Sequence, residues 1–198
     1  MSALFDRVKE LYRNGHAAPL ADLREDVRVN ERADLHPAAV LMAITEREEK
    51  PGVLLLHRPS HMRSHPGQVA FPGGRIDPGE GPVEAALREA WEELGIRPGD
   101  VRVVGTSDLF RTNSGYAITP VLGIVPPDIE INPSPAEVAQ WFEAPLDHVL
   151  DPANQIEKSM EWNGIQRSYI EIMWQNHRIW GVTGAIIANM SRRLNWHG

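Results

Sequence analysis

The first part of the chain has a helical hydrophobic period. Apolar residues recur every three or four positions over residues 2–13, and a second acidic, arginine-bearing stretch at 20–32 follows Pro19. Such spacing places apolar side chains on one face of a helix. The pattern therefore predicts an N-terminal helical arm over residues 1–35.

The hydrophobic period changes after this arm. Residues 38–44 are continuously apolar, as in a buried strand, and 53–56 follow a charged turn as the expected antiparallel partner. We therefore predict an α/β protein of a single domain, in which residues 36–198 form the core that follows the arm. Later segments continue the pattern, with strands at 101–105 and 118–125, a hairpin over 155–174 turning at Asn163-Gly164, and a closing helix from 179 to 194.

An amphipathic helix is predicted in the middle of the chain, over residues 82–94. Pro82 suits the first helical turn, and Gly95 suits a left-handed stop at the carboxyl end. Apolar residues occupy one stripe of this helix. Because strands are predicted on both sides of it in sequence, the expected architecture is an α/β sandwich.

The other face of this helix gathers carboxylates. Glu89, Glu92 and Glu93 fall within an arc of roughly 100°. Taken alone, three such glutamates more often form a solvated acidic face. Their mutual repulsion would be relieved by a hard divalent cation, and Mg²⁺ in particular is held by a few carboxylates together with water and substrate phosphates.

Two further charged residues and a glycine-rich loop could support such a site. The Arg88 fork is suited to fix the loop that carries Glu80 against the helix. The glycines before Glu80, among them Gly73, permit a tight loop whose backbone carbonyls approach the ion. Gly73 is therefore included among the candidate metal ligands.

This stretch resembles the signature of the Nudix hydrolases at every fixed polar and glycine position, namely Gly74, Glu80, Arg88, Glu89, Glu92, Glu93 and Gly95. The family usually has a bulkier aliphatic residue where this chain has Ala90. The resemblance implies an α/β/α sandwich with a mixed central sheet. It also implies metal-dependent hydrolysis of a diphosphate bond, with Mg²⁺ or Mn²⁺ as the cofactor.

Residues 58–74, here called the substrate lip, are rich in cationic, glycine and proline residues, and composition alone is equally compatible with an ordinary polar loop. The lip resembles the extra motif of the coenzyme A pyrophosphatase branch of the family at Arg58, Arg63, Gly67 and Phe71-Pro-Gly-Gly74. Leu56 and Pro59 depart from the usual form of that motif. That branch cleaves coenzyme A or acyl-coenzyme A to 3′,5′-ADP and (acyl-)4′-phosphopantetheine.

Roles for individual residues follow from these two resemblances. Glu89 and Glu93 are the expected principal metal ligands, with Glu92 as a further ligand and Arg88 among the catalytic group. The residue that orients or deprotonates water is Glu92 or Glu137, and Glu137 could equally be an ordinary glutamate in the first turn of a helix. The expected substrate-binding residues are Arg58, Arg63 and Gln68.

Composition limits the partners. A net charge of −7 argues against a nucleic-acid partner, and the sequence contains neither a signal peptide nor an apolar run long enough for a membrane span. The absence of cysteine fits the cytoplasm. The expected partner is a small nucleoside diphosphate derivative of the coenzyme A type, and a homodimer is left open. Other interpretations are hydrolysis of ADP-ribose, a dinucleoside polyphosphate or an oxidised nucleotide, and a non-catalytic sensor.

Overall fold

The computed structural model describes residues 2–25, 34–47, 49–61, 66–162 and 165–198, without the side chains of residues 162 and 165. The helices are α1 (Ala3–Gly15), α2 (Pro82–Leu94), α3 (Leu146–Leu150) and α4 (Gly181–Leu194). The strands are β1 (His36–Thr45), β2 (Gly52–His57), β3 (Val69–Ala70), β4 (Gly73–Arg75), β5 (Arg102–Thr106), β6 (Phe110–Arg111), β7 (Tyr116–Val125), β8 (Gln140–Pro145), β9 (Ile156–Trp162), β10 (Ile165–Trp174) and β11 (His177–Trp180).

The main sheet is mixed and is built around β1. Its strand order is β3-β2-β1-β7-β5, with β8 added to β2, β4 added to β1 and β6 added to β7. β1 runs parallel to β7 and antiparallel to β2 and β4. The predicted antiparallel pairing of the first two strands is therefore confirmed.

The side chains of β1 point alternately to the two faces of the sheet, which explains how helices pack on both faces. Met42 and Ile44 belong to the apolar cluster that contains α1, α3 and α4, whereas Leu41 and Ala43 belong to the cluster beneath α2. Successive side chains of a strand point to opposite faces, so a continuously apolar strand is buried on both sides. The predicted α/β/α sandwich with a mixed sheet is confirmed.

The N-terminal helix packs on the rest of the chain. The Ser2 hydroxyl caps α1 by accepting from the Phe5 backbone amide at 3.3 Å, and Phe5 and Val8 are buried beside α4. The Tyr12 hydroxyl donates to the carbonyl of Thr106 at 2.6 Å. The predicted helix is thus observed over Ala3–Gly15.

The second half of the predicted helical arm is not helical where it is described. Asp22 has a left-handed backbone, with φ of 56°, which interrupts any helix through residues 20–25. Arg192 donates to the carbonyls of Ala21 and Asp22, and Arg24 donates its backbone amide to Asn189. These contacts with distant residues replace the hydrogen bonds of a local helix. Residues 26–33 of the arm lie outside the described residues.

The carboxyl-terminal part adds a small three-stranded sheet. β9 and β10 form the predicted hairpin, although its predicted turn at 163–164 is outside the described residues. The prediction of a helix from residue 179 is wrong at its start, because 177–180 form β11 along β10 and α4 begins at Gly181, with φ of 62°. β8 and α3 were not predicted.

Candidate active site

Helix α2 is fixed at both ends as its sequence suggests. Pro82 stands in its first turn, and Gly95 adopts a left-handed φ of 73° while donating its amide to the Trp91 carbonyl at 3.0 Å. Ala90 is fully buried against the sheet, so its small side chain lets the helix lie close to the strands. The carboxylates at 89 and 93 consequently point toward β4.

Arg88 holds the loop before α2 against the helix. Its guanidinium donates to both oxygens of Glu80, at 2.8 Å and 3.1 Å, and to the carbonyl of Arg75 at 2.9 Å. The hydrogen bonds from Arg88 lower the pKa of Glu80 and raise the pKa of Arg88 itself. The structure therefore brings together the pair that the sequence suggested as a support for the site.

Arg88 also contacts two of the candidate metal ligands. One of its terminal nitrogens donates to Glu89 at 2.8 Å and to Glu92 at 3.0 Å. The Glu89 side chain is 17% exposed, whereas that of Glu92 is 49% exposed. Burial raises the pKa of Glu89 in spite of the arginine.

Glu93 is the most buried of the three glutamates, with 6% exposure. It accepts a hydrogen bond of 2.9 Å from the backbone amide of Gly73. The pKa of Glu93 is raised to about 8, chiefly by burial and also by the neighbouring charge of Glu89, while the Gly73 hydrogen bond and Arg58 act in the opposite direction. A carboxyl group in this position would be stabilised in its charged form by a cation.

Strand β4 lies so close to β1 and to Glu89 that a Cβ atom at either of its two glycines would overlap a neighbouring atom. A Cβ atom on Gly74 would lie 2.5 Å from the Glu89 carboxylate, and one on Gly73 would lie 2.4 Å from the carbonyl oxygen of Ala39. Both distances are far below van der Waals contact. The two glycines therefore let the β4 backbone line the acidic cluster directly.

Gly74→Ala is expected to reduce turnover at least about tenfold while leaving the protein folded, because the new methyl group displaces only the flexible Glu89 carboxylate. The measurement is kcat with saturating Mg²⁺, together with the thermal midpoint. Gly99→Ala is the matched control, since a Cβ on Gly99 meets nothing within 4 Å. Unchanged turnover in Gly74→Ala would contradict the role given to Glu89.

Glu137 lies in a turn close to the acidic cluster. The loop that carries it is attached to the end of α2, because Ser134 donates its amide to the Glu93 carbonyl at 2.9 Å. On its other side, Ala139 donates to the carbonyl of His57, also at 2.9 Å. The charge of Glu137 raises the pKa of Glu89 and of Glu93.

The donor set fits a divalent cation, as the sequence suggested. Two carboxylates with raised pKa values, the partly buried Glu89 and the buried Glu93, stand beside the backbone of Gly73 and Gly74. Oxygen donors of this kind suit Mg²⁺ or Mn²⁺. Among the described residues no three His, Asp or Glu side chains converge in metal-binding geometry, and Arg88 bridges Glu89 and Glu92 instead.

A pocket of about 280 Å³ adjoins the acidic cluster through Gly73 and Gly74. Arg58 and Gln68 line it, and they are joined by a backbone hydrogen bond of 3.0 Å from the Arg58 amide to the Gln68 carbonyl. The third predicted substrate-binding residue, Arg63, lies outside the described residues. The remaining lining includes Arg75, Thr112, Ser114, Tyr116, Ile118, Trp180, Val182 and Ile186.

Several of these lining residues carried no signal in the sequence. Thr112 and Ser114 are isolated hydroxyl residues in a loop, and Arg75 is one of many arginines. Trp180 stood out only as one of six tryptophans that could pack in the core or line a pocket. β4, β7, β11, α4 and the loop between β6 and β7 carry the pocket residues into place, so only the tertiary fold reveals them.

The comparisons with known proteins agree with this geometry. The family model described as the NUDIX domain matches residues 35–162, which is more than half of the chain. The chain belongs to the Nudix hydrolase family. It is therefore a pyrophosphohydrolase of that family, whose members generally use divalent metal ions such as Mg²⁺.

Individual relatives extend the similarity. The Nudix hydrolase is 40% identical over 158 residues to a protein of Enterobacter sp. (strain 638) called "Uncharacterized Nudix hydrolase NudL", covering 79% of this chain and 82% of the relative. A NudL protein of Yersinia enterocolitica is 38% identical, covering 82% and 84%. The crystal structure of the M. smegmatis Nudix hydrolase RenU superposes with a TM-score of 0.51 at 26% identity, covering 60% of this chain and 75% of RenU.

The helices were also compared with the requirements of a bilayer span. None of those in the described part of the chain is both long enough and apolar enough to cross a membrane.

Proposed function

We propose that this Nudix hydrolase cleaves the diphosphate bond of coenzyme A or acyl-coenzyme A, giving 3′,5′-ADP and (acyl-)4′-phosphopantetheine. One observation carries the proposal. The substrate lip and α2, which hold the two motifs, meet at Gly73 and Gly74, so that Arg58 stands at a pocket that adjoins Glu89 and Glu93. A substrate can thus contact the lip while its diphosphate faces the glutamates.

Glu89 and Glu93 are the proposed principal metal ligands, with Glu92 and the backbone carbonyl of Gly73 as further ligands. A bound Mg²⁺ or Mn²⁺ ion supplies Lewis acidity to the diphosphate oxygens and acidity to a water molecule. Arg88 orients the ligands by holding Glu89 and Glu92 on one nitrogen. Its other donors hold Glu80 and the Arg75 carbonyl, so the ligand face of α2 stays fixed against the loop.

Hydrolysis needs water to attack one phosphorus while the bond from that phosphorus to the bridging oxygen breaks. The bridging oxygen leaves with the other phosphate, and a carboxylate takes the proton of the water. Glu137 is the favoured proton acceptor, because a hydrogen bond from Arg88 already occupies an oxygen of Glu92. Comparing the pH dependence of kcat in Glu137→Gln and Glu92→Gln separates the two, because only loss of the base removes the fall in kcat at low pH.

Arg58 is proposed to bind the substrate phosphates. Its Nε atom is buried and has no hydrogen-bond partner among the described residues, and the arginine lies near enough to Glu93 to influence its pKa. A buried donor without a partner is costly unless a ligand satisfies it, and a guanidinium suits phosphate. Gln68 lines the same pocket and Arg63 stays a prediction for the lip.

The substrate assignment is tested with a panel of coenzyme A, acetyl-coenzyme A, ADP-ribose and a dinucleoside polyphosphate. The proposal expects kcat/KM with Mg²⁺ to be highest for the two coenzyme A compounds. Equal turnover of the whole panel would refute the assignment, and turnover of ADP-ribose alone would make Leu56 and Pro59 the first residues to examine. Absence of turnover with every compound would favour a sensor.

A cytoplasmic location and a homodimer are separate predictions. The first depends on the absence of cysteine from the sequence, which fits a reducing compartment. Fractionation of the source cells tests it. The mass of the protein in solution by light scattering tests the second.

A further inference from the structure

The pocket beside β4 has a charge opposite to that of the whole protein. The chain carries a net charge of −7, yet the charged side chains that line the pocket in the described part of the chain are two arginines, Arg58 and Arg75. A locally cationic pocket on an acidic protein selects small anions without attracting long polyanions. The ligand of this pocket should therefore carry a further anionic group in addition to its diphosphate.

Arg75 is positioned on the pocket side of β4 by the alternation of the strand. The position before it, Gly74, faces the Glu89 carboxylate, so Arg75 faces the opposite side of the sheet. Its guanidinium donates to Nδ1 of His36 at 2.9 Å, and its carbonyl accepts from Arg88. The backbone of Arg75 is thereby fixed to the catalytic helix.

The charge of Arg75 is not neutralised by a carboxylate nearby. Within the described residues, no ion pair of 4 Å or less includes Arg75. Arg88, in the same region, contacts three glutamates. Arg75 thus keeps its positive charge and several donors for a ligand at the rim of the pocket.

The walls of the pocket suit a nucleoside. Trp180 and Tyr116 supply aromatic surface, and Thr112 and Ser114 supply hydroxyl groups. The rim is ordered, because the Thr112 hydroxyl accepts from the Tyr116 amide at 3.0 Å and lies 2.9 Å from the Ser114 hydroxyl. A volume of about 280 Å³ is at the small end of ligand sites and fits one half of a coenzyme A molecule.

We infer that this pocket receives the 3′-phosphorylated nucleoside half of the substrate and that Arg75 binds its 3′-phosphate. This inference depends on the proposed function and identifies the residue that distinguishes coenzyme A from diphosphates without a 3′-phosphate. Arg58 lies close enough to Glu93 to lower its pKa and is therefore assigned to the diphosphate. In this arrangement Arg75 binds the 3′-phosphate and Arg58 binds the diphosphate of the same ligand.

The test compares coenzyme A with 3′-dephospho-coenzyme A in the full-length protein with Mg²⁺. Arg75→Gln is expected to raise KM for coenzyme A at least about tenfold, as for one lost charge-assisted hydrogen bond, and to change KM for the dephospho compound less than about twofold. Arg13→Gln is the matched control, since it removes the same charge from an exposed position in the last turn of α1. It should leave both values unchanged. An equal effect of Arg75→Gln on both compounds, or no effect on either, would overturn the inference.

A binding measurement separates this inference from the proposed function. Calorimetry should show that the wild-type protein binds 3′,5′-ADP at least about tenfold more tightly than 5′-AMP, and that Arg75→Gln removes this preference. If coenzyme A is not cleaved but the preference depends on Arg75, the nucleotide site stands and the substrate assignment fails. If coenzyme A is cleaved and the preference is absent or independent of Arg75, the inference fails alone.

Discussion

Replacing Glu93 by glutamine is expected to lower kcat by at least about 100-fold, the largest loss of activity of any single change in this protein. Glutamine has nearly the same shape and can still accept the hydrogen bond from the Gly73 amide. It removes a charge that burial makes unfavourable, so the metal-free variant should be at least as stable as the wild type. A loss of activity without a loss of stability is characteristic of a metal ligand.

The response of the thermal midpoint to Mg²⁺ distinguishes this from a structural effect. Mg²⁺ should raise the thermal midpoint of the wild-type protein by binding only its native state, and this rise should disappear in Glu93→Gln. Glu84→Gln is the matched control, because it removes the same charge from an exposed position in the first turn of α2. A Glu93→Gln variant that kept its activity, or kept its stabilisation by Mg²⁺, would show that Glu93 is not a ligand.

Arg193→Met is expected to cost about 3 kcal/mol of unfolding free energy, the largest effect on stability. Arg193 is 6% exposed and makes two hydrogen bonds with Asp108, at 2.6 Å and 2.7 Å. It also donates to the carbonyl of Gly15, the last residue of α1, at 2.6 Å and to that of Ala18, just beyond α1, at 2.8 Å. Removing it leaves the Asp108 charge without its partner and the two carbonyls without their donor.

The measurement is chemical denaturation at neutral pH, accompanied by a fall in thermal midpoint of about 6–12 °C. Arg192→Met is the control, since the adjacent Arg192 is exposed and its loss should cost less than about 1 kcal/mol. Equal destabilisation by both variants would contradict the role of the buried ion pair. Introducing Asp108→Asn into the wild type and into Arg193→Met gives the coupling energy between Asp108 and Arg193.

Acid should reduce the difference between Arg193→Met and the wild type. The hydrogen bonds from Arg193 lower the pKa of Asp108 in the native state. A carboxyl group with a lowered native pKa contributes stability above its unfolded pKa of about 3.9 and loses it as the pH falls toward the native value. Denaturation near pH 3 should therefore show a smaller difference than at pH 7.

The sequence predicted the parts of the fold that depend on local signals. Helix α2 begins at Pro82 and ends at Gly95 as expected, because a proline in the first turn and a left-handed glycine fix a helix without help from distant residues. The apolar run of β1 is likewise buried on both faces. Carboxylates on one face of a helix follow from spacing alone, so the acidic cluster could be found in the same way.

Other parts depend on pairing between distant segments. β8 was missed because its neighbours in the sheet come from β2, about ninety residues earlier in the chain. β11 was assigned to the closing helix because nothing in its own sequence indicates that it pairs with β10. The burial of Glu93, the position of Glu137 beside it and the approach of Arg75 to the pocket likewise depend on tertiary packing.

This Nudix hydrolase is proposed to cleave coenzyme A at its diphosphate. The most direct test is chromatographic identification of the products after incubation with Mg²⁺ and either coenzyme A or ADP-ribose, with Glu93→Gln as the inactive control. Coenzyme A should yield 3′,5′-ADP and 4′-phosphopantetheine, whereas ADP-ribose should stay largely intact. Intact coenzyme A alongside cleaved ADP-ribose would contradict the claim.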